Sequence, residues 1–229
     1  MSTSRVHHPR GASTVLSQLK RMYGVPAPAP ERDPVEQIIL AILEYNESDS
    51  LAANSLAKLK SEYVDFNELR VSRTSELTEV LGTEFSKPRA KARRILAALR
   101  AVFNKENSFD LSSLKSKSKQ DMEEYFKTVE EADNYLASSV LLNCCGRQAF
   151  PLDEKMLKAC EKLQLVEGEV DLAGLQSFLE RQVRSSQAYS FCRLLKKFSL
   201  NEPSKTQKAA KKKAAKKKSR KKKATSRKR

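Results

Sequence analysis

The stretch Phe150–Leu157 reads FPLDEKML, a proline and one carboxylate, Asp153, ahead of what reads as the start of a helix. An aspartate at such a place has two uses. It is among the best helix N-caps, because its carboxylate accepts otherwise unpaired amide hydrogens. It can also stabilise positive charge on a substrate or activate a nucleophile. The residues alone leave both open. Other catalytic groups are few. The two histidines, His7 and His8, lie near the amino terminus, so Ser-His-Asp and Cys-His catalysis and ordinary His-based metal sites have no core histidine to use. Cys144, Cys145, Cys160 and Cys192 show no CxxC spacing and no secretory signal precedes them, which points to a reducing, intracellular setting. All six glycines are isolated, so no Gly-rich phosphate loop is present.

The formal net charge of +16 is unevenly spread. Of 44 Lys and Arg, 15 lie between Lys205 and Arg229, beyond the last acid, Glu202, which leaves 29 against 28 Asp and Glu in the rest. The body is close to neutral and the basicity is an appendage, suited to a polyanionic partner. The repeats AAKKK and SRKKK place Lys211, Lys212, Lys213, Lys216, Lys217, Lys218, Arg220, Lys221, Lys222 and Lys223 as phosphate contacts. Their mutual repulsion is expected to keep residues 201–229 open in isolation. The longest apolar run, Ile38–Leu43, is far short of a membrane span.

The elements that must position Asp153 read as helices. Residues 1–12 are expected to be disordered. Ser13–Tyr23 is amphipathic and closes at Gly24, and VPAPAP follows as an extended link. Asp33 caps a core helix Pro34–Tyr45, with Pro34 at its first position and Glu36 completing a capping box. Further helices are expected at Ser50–Ser61, around Phe66 and Leu69, and at Ser75–Leu81, Pro88–Phe103, Asp121–Phe126, Ala132–Leu142, Glu154–Leu163, Leu172–Val183 and Gln187–Phe198. No stretch alternates as a strand does, so the fold class is all-α.

The order of these pieces resembles the endonuclease III branch of the helix-hairpin-helix DNA glycosylases. LSQLKRMYG, a Pro-rich link and DP opening an apolar helix come first. YNESD stands where relatives carry a glutamine followed by Thr-Asp, and SKPRAKARRIL resembles the family's K-A-x-x-I helix. VLLNCCGRQAFPLDEKMLKACEKLQLV is close to the family pattern V-L-L-x-x-x-G-x-x-x-x-P-V-D-T-H-V-x-R-V-x-x-R-L-G-L. The resemblance spans roughly residues 13–166. It implies two helical subdomains with a DNA-binding cleft between them: residues 31–149 in one, and residues 13–30 with 150–200 in the other. It also implies that Asp153 is the catalytic aspartate at the cleft mouth, and that Asn46 is a polar contact to DNA.

The chain departs from the pattern in places that matter chemically. Bifunctional relatives carry a Schiff-base lysine eighteen residues before the aspartate, where this chain has Tyr135. A tyrosine forms no imine, so lyase activity is not expected, and Tyr135 becomes a candidate wall of the base pocket. Relatives read L-P-G-V-G at the hairpin; this chain reads VEEADNY, Val129–Tyr135, with Glu131 and Asp133 in place of the glycines. Acids there are expected to repel a phosphate, and Glu-Glu-Ala-Asp suits the first turn of a helix, so the hairpin signal is essentially absent. Only Cys192 stands where relatives cluster four cysteines, so no iron–sulfur cluster is expected, nor any other cofactor or metal.

The sequence therefore leads to an endonuclease III-like DNA glycosylase without lyase activity, acting on double-stranded DNA as a monomer. Asp153 is catalytic, Tyr135 and Asn46 line the pocket, and Lys87, Arg89, Lys91 and Arg94 join the basic tail as phosphate contacts. The alternative is an inactive member of the same fold that binds or compacts DNA without regard to sequence.

Overall fold

The computed structural model describes residues 10–201. His7, His8 and the tail candidates Lys211–Lys223 lie outside the described residues. Within them are eleven α-helices, one 3-10 turn and no strand: α1 Ala12–Tyr23, α2 Pro34–Glu44, α3 Asp49–Glu62, α4 Phe66–Val71, α5 Thr74–Leu81, α6 Pro88–Glu106, the 3-10 turn Ser112–Ser116, α7 Lys119–Lys127, α8 Asn134–Cys144, α9 Glu154–Lys162, α10 Leu172–Gln182 and α11 Ser185–Ser199. The fold is all-α.

The core is built around α2. All of its residues except Glu36 are buried, and it packs against α8, α3 and α6. Ile38, Ile39, Ile42 and Leu43 contribute about 1.5–3 kcal/mol each by leaving water. Asp33 caps this helix, accepting from the amides of Val35 (2.8 Å) and Glu36 (3.1 Å), and Pro34 fills the first helical position. The expected reciprocal half of the capping box does not form, because Glu36 turns its carboxylate to Lys60 of α3 at 2.5 Å. The first helix packs against α11 and α10, so the two ends of the described chain lie together, and α11 in turn rests on α9.

Candidate functional site

Three segments meet at the C-terminal end of α2. The helix stops at Glu44, and Asn46 reverses the chain in the left-handed region at φ 58°, where asparagine is one of the few non-glycine residues at ease. The carbonyls at that end are bound by two lysines from distant elements. Lys91 of α6 donates to the carbonyls of Ile42 (2.8 Å), Leu43 (3.1 Å) and Tyr45 (3.0 Å), and Lys196 of α11 donates to that of Glu44 (2.8 Å). A cation at a helix C-terminus is also favoured by the helix dipole.

Asp153 stands opposite this corner at the start of α9. Its Oδ1 accepts from the amide of Met156 at 2.8 Å, which makes it the N-cap. Its Oδ2 accepts from the amide of Asn46 at 3.1 Å. The carboxylate is thus shared between its own helix and the α2 corner, and the residue is 1% exposed. Glu154 binds the same corner from outside, accepting from Tyr45 Oη (2.7 Å) and Asn46 Nδ2 (2.8 Å). Burial works against the charge on Glu154, but these two hydrogen bonds outweigh it and hold its pKa below the ordinary carboxylate value. Lys155 donates to the carbonyl of Asn46 at 2.5 Å. Glu154 and Lys155 are therefore the main clamp on Asn46.

Tyr135, on the second residue of α8, is buried behind the corner. Its ring meets that of Tyr45 edge-on with centroids 5.0 Å apart, and its Oη accepts from Lys196 Nζ at 3.1 Å. Burial pushes the Tyr135 phenol well above its ordinary pKa, so it stays neutral. A cavity of about 110 Å³ opens beside it, lined by Tyr45, Asp133, Asn134, Tyr135, Phe150, Leu152, Leu172 and Gln176.

Behind Tyr135 lies a charge cluster that sequence reasoning missed. Arg193 Nη1 stands 3.1 Å from Asp49 Oδ1 and 3.6 Å from Glu44 Oε1. Lys196 Nζ stands 3.4 Å from Asp49 Oδ1 and 3.7 Å from Glu44 Oε2. Burial opposes the charge on Lys196, but the Tyr135 oxygen and the two carboxylates outweigh it and hold its pKa above the ordinary lysine value. A signal was available: Glu44 follows directly on the apolar run Ile38–Leu43 of a buried helix, and a buried carboxylate requires a cationic partner.

The other sequence candidates fall into different places. Lys87 and Arg89 are exposed at the start of α6. That start is tied to the Asn46 loop, since the amide and hydroxyl of Ser86 both donate to Glu47 Oε1, at 3.1 and 2.8 Å. Lys91 is not on that exposed face. It is 7% exposed with its ammonium spent on three carbonyls, so it offers nothing to a phosphate. Burial pulls its pKa down to about 8. Arg94 is half-buried and already occupied by the α7–α8 turn: Nη2 donates to Glu131 O (3.0 Å) and Asp133 Oδ2 (2.8 Å). Among the described residues, no three His, Cys, Asp or Glu are grouped to hold a metal ion, and no helix is long and apolar enough to cross a membrane.

That turn corrects the sequence expectation. Helix α7 ends at Lys127, the chain reverses through residues 128–132, and α8 begins only at Asn134 with Asp133 as its N-cap, accepting from the Leu136 amide at 2.9 Å. Two helices joined by a short hairpin are present without a glycine, because Glu131 itself takes the left-handed conformation at φ 62°. That costs a non-glycine residue about 1–2 kcal/mol. The contacts of its carboxylate, 3.6 Å from Arg93 Nη2 and 3.6 Å from Arg94 Nε, act against that cost.

The described residues, all helical, with two helices joined by a hairpin and an aspartate capping the helix that follows, superpose on solved structures. An endonuclease III trapped as a covalent intermediate with DNA superposes with a TM-score of 0.64 over 82% of this chain and 86% of its own, at 16% identity. The chain has the fold of the helix-hairpin-helix DNA glycosylases. An H. pylori 3-methyladenine DNA glycosylase bound to 1,N6-ethenoadenine aligns over 83% of this chain and 94% of its own, with a TM-score of 0.60 and 18% identity. A thermostable thymine-DNA glycosylase aligns over 82% and 83%, with a TM-score of 0.58 and 17% identity. No family model and no curated protein sequence matches the chain. These glycosylase-fold proteins differ in the bases their names record, so the fold by itself assigns no substrate.

Proposed function

We propose that this glycosylase-fold protein is a DNA-binding protein of the base-excision-repair type, a DNA N-glycosylase without lyase activity. The observation that carries the reading is the convergence of Asp153, Asn46 and Tyr135 on one corner beside the cavity at Tyr45 and Gln176. In this reading a base rotated out of the duplex, at a cost of a few kcal/mol, enters beside Tyr135. Water hydrolyses the bond between base and sugar, and the Asp153 anion stabilises the positive charge that builds on the sugar. A buried anion acts strongly here because little water screens it. The absence of a lyase step is supported by the way the amines at this corner are held, Lys91 being spent on three carbonyls. Lys196 is held charged by Glu44 and Asp49, and Lys155 is bound to the Asn46 carbonyl, so neither is a free amine nucleophile. Lys87 and Arg89, together with the basic tail beyond Asn201, hold duplex DNA through its phosphates, and the protein acts as a monomer where DNA is.

A second reading rests on a different observation. Asp153 is 1% exposed with each oxygen already accepting an amide, which suits a purely architectural cap. The protein would then bind DNA without chemistry. Base release from duplexes carrying uracil, thymine opposite guanine, or oxidised pyrimidines separates the two. The glycosylase reading expects release by the full chain and its loss in Asp153→Asn; no release from any duplex at high protein concentration leaves the binding-only reading. A chain truncated after Pro203 is expected to bind more weakly and with a shallower salt dependence, by roughly 0.9 in log–log slope for each phosphate it no longer neutralises.

A further inference from the structure

The two arginines at the hairpin are held in a way that points to a self-masked phosphate site. Arg89, Arg93 and Arg100 are exposed on α6, and Arg94 stands beside them facing the α7–α8 turn. Glu131 reaches across to both Arg93 and Arg94, each at 3.6 Å, while Asp133 takes Arg94 Nη2 at 2.8 Å. The match is incomplete. Arg94 Nε is shielded from water and has no hydrogen-bond partner, the Glu131 carboxylate standing 3.6 Å away. A guanidinium with one N–H unsatisfied keeps a charged donor for a further anion such as a phosphate, beside the exposed Arg93. Glu131, meanwhile, stands at φ 62°, a position where glycine would rest without strain.

We infer that Glu131 is an internal competitor for a DNA phosphate: its carboxylate occupies Arg93 and Arg94, and a backbone phosphate binds this arginine pair when Glu131 is displaced. The inference rests on the reading that this protein meets duplex DNA, and it needs no glycosylase chemistry. Asp133 stays in place as the cap of α8, so the switch is the rotation of one side chain rather than the opening of the hairpin.

The test uses the full chain and an undamaged duplex, with affinity measured by fluorescence anisotropy across a salt series. Glu131→Gly removes the acid at a position where glycine suits the backbone, and Glu131→Asn, also at ease there, serves as the second variant. Both are expected to tighten binding on the order of tenfold and to steepen the log–log salt slope by roughly 0.9–1.8, as one or two further phosphates are neutralised. Adding Arg94→Ala is expected to cancel the gain. Glu130→Gln, which removes the neighbouring exposed carboxylate, is expected to change affinity less than twofold. Unchanged or weaker binding by both Glu131 variants overturns the inference, as does a gain that survives Arg94→Ala or that Glu130→Gln reproduces. Should the full chain release no base while the Arg94-dependent gain appears, the glycosylase reading fails and this one stands.

Discussion

Asp153 and Asn46, 107 residues apart in the chain, are joined by one hydrogen bond from the Asn46 amide to Asp153 Oδ2 at 3.1 Å. It couples the end of α2 to the start of α9, so the aspartate is at once a cap and the anchor of the corner beside the candidate base pocket. The two roles have different chemical requirements. A cap needs an acceptor of the right shape, whereas stabilising a sugar cation needs a negative charge.

Asp153→Asn therefore separates them. The side-chain oxygen of Asn still accepts the Met156 amide, but its NH2 faces the Asn46 amide, so the stability loss is expected at about 1–3 kcal/mol, while Asp153→Ala loses both acceptors and is expected to cost more, about 2–4 kcal/mol. Urea denaturation of the two variants measures the difference. Under the proposed function, Asp153→Asn loses base release although it folds.

Lys196 has no such tolerant replacement. Lys196→Met leaves Glu44 and Asp49 without one of their two cations and is expected to destabilise by about 3–5 kcal/mol. Adding Glu44→Gln should recover part of that loss, because the surplus buried charge goes with it. A thermodynamic cycle showing strict additivity would contradict the coupling.

Lys91 makes stability depend on pH with a definite sign. Its folded pKa is pulled down to about 8 by burial, from an ordinary value of 10.5. Below pH 8 the lysine is charged in both states, and its burial penalty is present in full. Between about pH 8 and 10.5 the unfolded chain holds more protons than the folded one, so this group's contribution rises with pH, by at most about 1.4 kcal/mol per unit. The stability of the wild type relative to Lys91→Met is expected to increase from pH 7.5 to 10. A flat or falling difference would mean that the three carbonyl acceptors keep the ammonium charged.

The desolvated cysteines predict a chemical silence. Burial pushes the Cys192 thiol up to about 12 and Cys144 to about 12 as well, far above a reactive thiolate. Iodoacetamide at pH 8 is expected to leave Cys192 unmodified in the native protein and to modify it in urea, with peptide mass spectrometry as the readout.

The local parts of this architecture were legible without coordinates. Asp33-Pro34 opens α2, Asp153 opens α9, and Gly24 closes α1, each through hydrogen bonds or dihedral preferences that act within a few residues. The helix positions follow from apolar spacing for the same reason. The hairpin is hidden from local rules because its glycine-free sequence argues for a helical turn. Contacts with Arg93 and Arg94, 37 to 39 residues away, oppose the strain that Glu131 carries.

By itself the sequence determined that the chain is helical, where most helices begin and end, and that Asp153 starts one of them. Only the tertiary structure decided which charges face water. Lys87 stands at the N-cap of α6 and Arg89, Lys91 and Arg94 lie on it, all four cationic, yet Lys91 is spent on carbonyls 46 to 49 residues away and Arg94 on the hairpin, while Lys87 and Arg89 are exposed. A helix's periodicity sets which side chains share a face. What that face meets depends on partners brought together by packing, and those partners are too distant along the chain for any local pattern to announce.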